Sequence, residues 1–262
     1  MTVENRTPIL LGVGYRFALH NLIFQNRSRI GMLEVNIDHY LAGNLEQRAR
    51  LEGLKDHFPI VAHGVGLSLG TDGPLNYAYI DDVIDALERI GATWYSEHLA
   101  WTGVPGCELA TLLSLPRTQA VVEELAGKIQ TLRSLLPVPF YLENIVDYLE
   151  FADSVIEPSE FFTMVCERGG AGILLDAENL YTNELNNQVA ARDFVNQLAP
   201  GSVKAMHVAG GVRNKGLFVD DHGHAVPDAV LPIVKYICER QWPGVIILER
   251  DSRLDAEAEM SV

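Results

Sequence analysis

Histidine, aspartate and glutamate side chains end several of the short apolar segments in this sequence. The set comprises His63, His98, Glu143, Asp176, His207 and Glu249, with Asp220 and His222 in the loop after the seventh segment. One such residue alone is typical of a hydrogen-bonded structural histidine or of a helix cap. Buried carboxylates without partners are costly, so their joint occurrence favours a shared cluster of cations if the segment ends converge.

The donor types and their charges restrict the ions that such a cluster would hold. All proposed ligands are nitrogen or oxygen, which suits Fe, Mn, Zn or Co in coordination above four and disfavours a structural zinc site. The four carboxylates of the set carry four negative charges, and its four histidines are neutral when they bind metal. Two divalent ions would balance this charge, and a third would leave about two positive charges for oxygen ligands or substrate.

The apolar segments themselves predict the fold that brings these side chains together. Their near-continuous apolarity is typical of strands in a parallel sheet, and amphipathic helical patterns at 77–90, 117–136, 158–166 and 227–240 lie between them. We therefore predict an α/β fold, a (β/α)8 TIM barrel with one domain over residues 1–262, whose strand ends open on one face. An open doubly wound sheet is the alternative. The eight predicted strands are residues 9–16, 32–38, 60–68, 93–101, 140–145, 172–179, 204–210 and 245–251.

Three further features bear on the predicted site. Glu34, on the second strand, is predicted to hydrogen-bond a ligand histidine. Asp251 follows Glu249 by two residues, so both face the same side of the strand, and we predict it as a general base. A helix cap or a salt bridge is the alternative for Asp251. Residues 210–219 contain three glycines and no periodicity, which predicts an irregular loop or a lid.

The net charge and the cysteine spacing restrict the possible binding partners and the cellular compartment. The 35 acidic and 20 basic residues give a net charge of −15, which argues against a nucleic acid or an anionic membrane surface as partner. The widely spaced Cys107, Cys166 and Cys238 form neither a disulfide framework nor a zinc ribbon, so we predict a cytoplasmic protein. We expect no signal peptide and no membrane span, because neither pattern is present.

Several short motifs resemble one enzyme family in their order along the chain. They read AHGVGLSLG at 62–70, SEHLAW at 96–101, LEN at 142–144, LLDAEN at 174–179, HVAG at 207–210, DDHG at 220–223 and LERD at 248–251. In combination they resemble the MbnB/TglH family of multinuclear non-haem iron oxidases, which modify peptidyl cysteine. The resemblance implies a TIM barrel with two or three irons of mixed Fe2+/Fe3+ state, O2 as co-substrate, a cysteine-containing precursor peptide, and a dedicated MbnC-like partner protein that forms a heterodimer.

A similarity to the trinuclear barrel of endonuclease IV suggests how the ligands divide among metals. It implies a first metal on His63, His98 and a bridging Glu143. It implies a second metal that shares Glu143 with Asp176, His207 and Glu249. The third would take Asp220, His222 and Asn179, where the endonuclease pattern has a histidine in place of Asn179. An amide is a weaker ligand than an imidazole, so we expect this third site to be labile or partly filled.

These observations lead to one functional prediction and three alternatives. We predict an oxygen-dependent iron oxidase that forms oxazolone and thioamide groups on cysteine, as the methanobactin branch of the family does. A TglH-like enzyme would excise the cysteine β-carbon with the same metals. A metal-dependent phosphodiesterase of the endonuclease IV type is opposed by the net charge of −15. A metal-free binding barrel is the alternative from a different functional class.

Overall fold

Parallel strands close into a barrel in the computed structural model, which describes residues 7–104 and 107–254. In chain order the strands are β1 (Leu10–Gly14), β2 (Met32–Asn36), β3 (Ile60–Gly64), β4 (Ala92–His98), β5 (Trp101–Val104), β6 (Cys107–Leu113), β7 (Phe140–Glu143), β8 (Gly172–Asp176), β9 (Val203–Val208), β10 (Val212–Asn214), β11 (Leu217–Val219) and β12 (Val245–Leu248). The barrel order is β1, β2, β3, β4, β7, β8, β9, β12 and back to β1, all in parallel pairs. The predicted TIM barrel is therefore confirmed, and the open sheet is excluded.

Helices connect the barrel strands and cover their outer faces. They are α1 (His20–Gln25), α2 (Ile37–Ala42), α3 (Leu45–Glu52), α4 (Tyr77–Ile90), α5 (Gln119–Leu135), α6 (Pro158–Gly169), α7 (Ala177–Asn187), α8 (Ala191–Gln197) and α9 (Leu231–Arg240), with short 3-10 turns at Phe17–Leu19 and Gly53–Asp56. α4 shows why the sequence forms them. Its buried residues recur at helical spacing, Asn76 caps its first turn, and Gly91 ends it at a positive φ of 67°. No helix in the described part of the chain is both long and apolar enough to cross a membrane.

Among the described residues, two separate apolar clusters make up the core, as expected of a filled barrel. The larger cluster packs the helices against the outer faces of the strands. The smaller cluster takes its buried residues from five barrel strands, and they are Val61, Trp94, Leu174, Ala205, Val245 and Ile247. Because side chains alternate between the two faces of a strand, the residue two positions further along points into the same interior. The smaller cluster therefore forms the lower layer of the barrel interior, and the residues that follow it form the upper layer.

In residues 7–104 and 107–254, two antiparallel hairpins stand outside the barrel, and both correct the sequence-based expectation. The predicted strand 93–101 ends at His98, and Trp101 begins the hairpin of β5 and β6. Residues 210–219, predicted as an irregular loop, contain the hairpin of β10 and β11. Its two-residue turn, Lys215 and Gly216, has positive φ angles of 48° and 94°, which matches the twist of a tight hairpin.

A side-chain contact explains why the sequence pattern did not predict the second hairpin. The Asn186 side chain on α7 donates to the Phe218 carbonyl at 2.8 Å and accepts from the Phe218 amide at 2.9 Å. An amide side chain thus occupies the outer edge of β11, so three-residue strands suffice. The prediction of one domain over 1–262 also includes residues 1–6, 105–106 and 255–262, which lie outside the described residues.

Candidate metal centre

The upper layer of the barrel interior is polar and almost entirely buried. Each barrel strand from β2 to β9 carries an inward polar side chain at or near its end, and Glu249 follows β12 directly. The buried members are Glu34, His63, Glu143, Asp176, His207 and Glu249, and the side chain of His98 is 10 % exposed. Strand ends at one face of a TIM barrel are where active sites form. The structure therefore brings together the strand-end residues that the sequence predicted.

The first group of possible ligands surrounds Glu143. The Nε2 atoms of His63 and His98 each lie 3.2 Å from Glu143 Oε2. Ser96 Oγ lies 2.8 Å from His63 Nδ1, so it fixes the orientation of that ring. One ligand atom from each of the three residues lies within 4.8 Å of the others. This group coincides with the first predicted metal site.

The second group uses the same glutamate from its other oxygen. His207 Nδ1 lies 3.0 Å from Glu143 Oε1 and 3.1 Å from Glu249 Oε2. Asp176 completes this group, in which the four ligand atoms lie within 4.8 Å of one another. Its membership equals that of the second predicted site. Glu143 therefore stands between two donor sets, as a bridging carboxylate requires.

Glu34 and His207 confirm one detail predicted from the sequence. Glu34 Oε2 lies 2.9 Å from His207 Nε2, on the side of the ring away from Glu143. The Glu34 carboxylate fixes the orientation of the His207 ring, so that Nδ1 faces the carboxylates of Glu143 and Glu249. Such an outer carboxylate fixes the tautomer of a metal-binding histidine and raises its basicity.

The third region lies at the rim, around His222. Asp220 Oδ1 lies 2.7 Å from His222 Nε2, and His222 Nδ1 lies 3.4 Å from Glu249 and 3.3 Å from Asp251. The group within 4.8 Å here is His222, Glu249 and Asp251, which differs in membership from the predicted third set. The structure therefore pairs Asp220 with His222 and adds Asp251 to the donors beside them.

Asn179, the remaining member of the predicted third set, lies on the first turn of α7. Its Nδ2 donates to the Asn144 carbonyl at 3.1 Å, and its backbone amide donates to Asp176 Oδ1 at 2.6 Å. The Asp176 carboxylate therefore caps helix α7 and is also one of the possible metal ligands at the strand ends. The bond to Asn144 sets the orientation of the amide, and Asn179 Oδ1 is left as its unused acceptor.

Asp251 forms a salt bridge, which was the alternative considered for it. Arg16 Nε donates to Asp251 Oδ1 at 2.9 Å, and Arg16 also contacts Glu249 at 3.5 Å. Burial raises the pKa of Asp251, but the hydrogen bond from His222 and the charge of Arg16 outweigh it and leave the pKa lowered. The carboxylate is therefore ionised and held at the rim, and its role as a base stays a prediction.

The electrostatics of the centre are uneven from one side to the other. Burial raises the pKa of Glu143, but three neighbouring imidazoles lower it by more, to about 2. By contrast, burial and then the Glu143 carboxylate raise the pKa of Asp176 to about 8. Burial and then the Asp220 carboxylate raise the pKa of Glu178 to about 9. Positive charge is therefore lacking around Asp176 and Glu178, where cations would supply it.

Unused polar atoms test whether metals fit this centre. Within the described part of the chain, buried atoms of the centre lack a hydrogen-bond partner, and these are His63 Nε2, His98 Nδ1, Glu143 Oε2, Asp176 Oδ2, Glu178 Oε2, Asn179 Oδ1, Asp220 Oδ1 and His222 Nε2. Buried polar atoms normally have partners, and ions are one explanation when they do not. The donors are imidazole, carboxylate and amide, which are the ligands of Fe, Mn and Zn. The residues present therefore fit a multinuclear metal centre.

Two residues of this centre were not found by sequence reasoning. Ser96 lies two positions before His98, on the same inward face of β4, so strand alternation was a signal for it. Glu178 lies two positions after Asp176, within LLDAEN, and is fully buried. Its only sequence signal was its place on the first turn of the helix that follows a strand end.

Fold and centre together define the class of protein: a TIM barrel whose mouth gathers histidines and carboxylates suited to several metals. A family model described as RiPP precursor modification enzyme MbnB/TglH/ChrH matches residues 10–261. The chain therefore belongs to this family, whose members modify ribosomally made precursor peptides. This confirms the resemblance found from the motifs and supports an enzyme.

Relatives support this assignment, and solved structures share the fold. A UPF0276 protein of Acaryochloris marina is 30% identical over 241 residues, covering 92% of this chain and 87% of the relative. One from Paraburkholderia phytofirmans is 28% identical and covers 97% and 84%. D-psicose 3-epimerase from Clostridium cellulolyticum has a TM-score of 0.61 at 10% identity, covering 92% and 85%. A Thermus thermophilus protein soaked with ZnCl2 has a TM-score of 0.58 at 17% identity, covering 95% and 94%. At these identities the structures show the shared fold alone.

Proposed function

We propose that this protein is an oxygen-dependent multinuclear iron oxidase that modifies cysteine in a ribosomally made precursor peptide. We propose further that it forms oxazolone and thioamide groups, the chemistry of methanobactin biosynthesis. The observation that carries the proposal is the position of Glu143, whose two oxygens face two separate donor sets. Its support from outside the structure is the match to a family of precursor-peptide modification enzymes.

The proposed iron ligands are the predicted set, and their neighbours hold them in place. The ligands are His63, His98, Glu143, Asp176, Asn179, His207, Asp220, His222 and Glu249. Bound iron would supply Lewis acidity toward a cysteine thiolate and the redox capacity to reduce O2. Ser96 orients His63, and Glu34 orients His207, each through the ring nitrogen that faces away from the donors. Mixed Fe2+/Fe3+ states belong to the same proposal.

Asp251 is the proposed general base. It is the most exposed carboxylate of the centre, at 45 % for its side chain, so a substrate at the mouth reaches it. Its Oδ1 is engaged by Arg16, and its Oδ2 lies 3.3 Å from His222 Nδ1. A proton taken up at Oδ2 would be stabilised between that imidazole and the solvent. Because its pKa is lowered, Asp251 is ionised at neutral pH, which is the form that a general base needs.

The partners follow from the proposed reaction. The substrate is a cysteine-containing precursor peptide, delivered by a dedicated MbnC-like protein that forms a heterodimer with this chain, in the cytoplasm. The net charge of −15 complements a basic peptide segment and opposes a nucleic acid.

The test is a reaction of anaerobically reconstituted ferrous protein with a candidate precursor peptide, with and without O2. We expect an O2-dependent mass change in which hydrogens are lost and carbon is retained. His63→Ala should lower bound iron, measured by plasma emission, and abolish the mass change. His57→Ala, an exposed histidine whose ring contacts Phe24, should leave both unchanged.

Three results would replace the proposal by one of its rivals. Loss of a carbon from the peptide would indicate β-carbon excision. Metal-dependent phosphodiester cleavage without O2 would indicate a nuclease of the endonuclease IV type. Protein that binds no metal under anaerobic reconstitution would indicate a binding barrel.

A further inference from the structure

Glu178 is a buried carboxylate that the predicted ligand set leaves out. Its side chain is fully buried on the first turn of α7. Oε1 accepts a hydrogen bond from Thr182 Oγ1 at 3.0 Å, whereas Oε2 has no hydrogen-bond partner among the described residues. The carboxyl group also lies beside that of Asp220. Two carboxyl groups side by side, of which Glu178 is fully buried and Asp220 partly exposed, favour either a shared proton or a cation between them.

The chain packs closely over this carboxylate on the side of the second hairpin. A Cβ atom on Gly211 would come within 2.5 Å of Glu178 Oε1, so the backbone before β10 lies directly against it. A glycine at this position is what permits that approach. Water is thereby excluded on the hairpin side, and the unused Oε2 has to find its partner within the centre.

Two neighbours of Glu178, one along the chain and one in space, connect it with the predicted third site. Asn179 follows Glu178 directly in the chain and has an unused, buried Oδ1. Asp220, whose carboxyl group lies beside that of Glu178, has its Oδ1 2.7 Å from His222 Nε2. Asn179, Asp220 and His222 are the predicted third metal site. They offer one negative charge to a divalent ion, and the weak Asn179 amide is the reason that the site was expected to be labile.

We propose that Glu178 is a fourth protein ligand of this third site and supplies its second negative charge. Two carboxylates then neutralise one divalent ion, and the weakness of the Asn179 amide as a ligand is offset. The third cation should therefore be retained about as well as the other two. This inference deepens the proposed function and rests on it for the existence of a multinuclear centre.

The test compares metal content in the absence of peptide and O2. Wild type, Glu178→Gln and Glu184→Gln are reconstituted anaerobically with ferrous salt and desalted, and iron per chain is measured by plasma emission. Glu184, exposed on the same helix, is the matched control. We expect about three ions in wild type and in the control, and about two in Glu178→Gln, because removing a ligand charge weakens binding by about 10–100-fold or more.

A second measurement separates ligation from a structural role. Glu178→Gln keeps the size of the side chain and an oxygen that accepts from Thr182, so the metal-free variant should melt at the same temperature as wild type or higher. Its gain in melting temperature on adding iron should be smaller than that of wild type. Thr182→Val removes the hydrogen bond to Oε1 and keeps the carboxylate, so it should retain about three ions.

Two outcomes overturn this inference and leave the proposed function standing. One is equal iron content in wild type and Glu178→Gln, whether about two or about three ions. The other is a metal-free Glu178→Gln that melts well below wild type, because a lower iron content would then follow from lost structure and not from a lost ligand. If wild type binds no iron at all, the proposed function itself fails.

Discussion

The lower and upper layers of the barrel interior come from the same strands, but they differ in polarity and in whether their buried groups have partners. On β8, Leu174 belongs to the apolar lower layer, and Asp176, two residues later, belongs to the polar upper layer. β9 repeats the step from Ala205 to His207. The lower layer is packed and satisfied, whereas the upper layer leaves buried polar atoms without partners. The lower layer therefore stabilises the barrel. The upper layer lowers the stability of the metal-free protein, because it keeps possible metal ligands buried without partners.

The largest expected effect is loss of the carboxylate that both metal sets share. Glu143→Gln should lower iron content by about two ions per chain, against about one for His63→Ala, because only Glu143 faces both sets. Peptide modification should fall below detection in both variants. Plasma emission on anaerobically reconstituted protein measures the first effect, and mass spectrometry of the peptide measures the second. Equal losses of iron in the two variants would contradict the shared position of Glu143.

Next in size is a cavity in the lower layer. Leu174→Ala should lower the free energy of unfolding by about 2–5 kcal/mol, because Leu174 is fully buried in the barrel interior. Its iron content should stay that of wild type as long as the variant is folded. Leu135→Ala, on an exposed part of α5, is the control and should change stability by less than about 0.5 kcal/mol. Denaturant titration of both measures the difference.

A smaller effect of opposite sign is expected in the upper layer. Asp176 has a pKa raised from 3.8 to about 8, so the folded, metal-free protein binds its proton more tightly than the unfolded chain does. Its contribution to stability is present below about pH 4 and is lost as the pH rises through about 8.

The variant Asp176→Asn removes this pH-dependent loss. Metal-free Asp176→Asn should match wild type near pH 4 and exceed it by on the order of 1–3 kcal/mol above pH 8. Unfolding of both proteins by urea across this pH range, with chelator present, measures the difference. A constant difference at every pH would show that Asp176 does not carry a buried charge. Loaded with iron, the variant should lose its advantage.

The smallest effect is expected for Glu34, which contacts the proposed metal ligand His207 and is not itself a proposed ligand. Glu34→Gln keeps the size of the side chain and removes the charge that faces His207 Nε2, so iron affinity should fall by about 10–100-fold with little change in melting temperature of the metal-free protein. Competition with a chelator measures the affinity. Glu46→Gln, on exposed α3, should show no such fall. If both behave alike, Glu34 does not act through His207.

Regular strands made the fold and most of the centre predictable. His63, Glu143 and His207 lie where buried strands end, and parallel strands end at one face, so their convergence follows from sequence order. In these cases the backbone period alone fixes which way the side chain points. The contact of Glu34 with His207 was predictable on other grounds, because metal-binding histidines usually have an outer carboxylate partner.

The third region was less predictable because no such period controls it. His222 has a positive φ of 44° in an irregular loop, and Asp251 turns toward Arg16, a residue 235 positions earlier in the chain. The second hairpin depends on the side chain of Asn186, and the burial of Glu178 depends on that hairpin. Contacts of this kind are decided by tertiary structure, which a local pattern does not contain.

The attachment of the second hairpin limits how a peptide chain can enter the mouth. Asn186 fastens β11 to the far end of α7, and Gly211 rests on Glu178 at the near end of the same helix. Raising the hairpin on its own would break both attachments, so it should move together with α7 as one rigid unit. In the proposed function, a peptide substrate would therefore have to reach the metal ligands without lifting β10 and β11 away from α7.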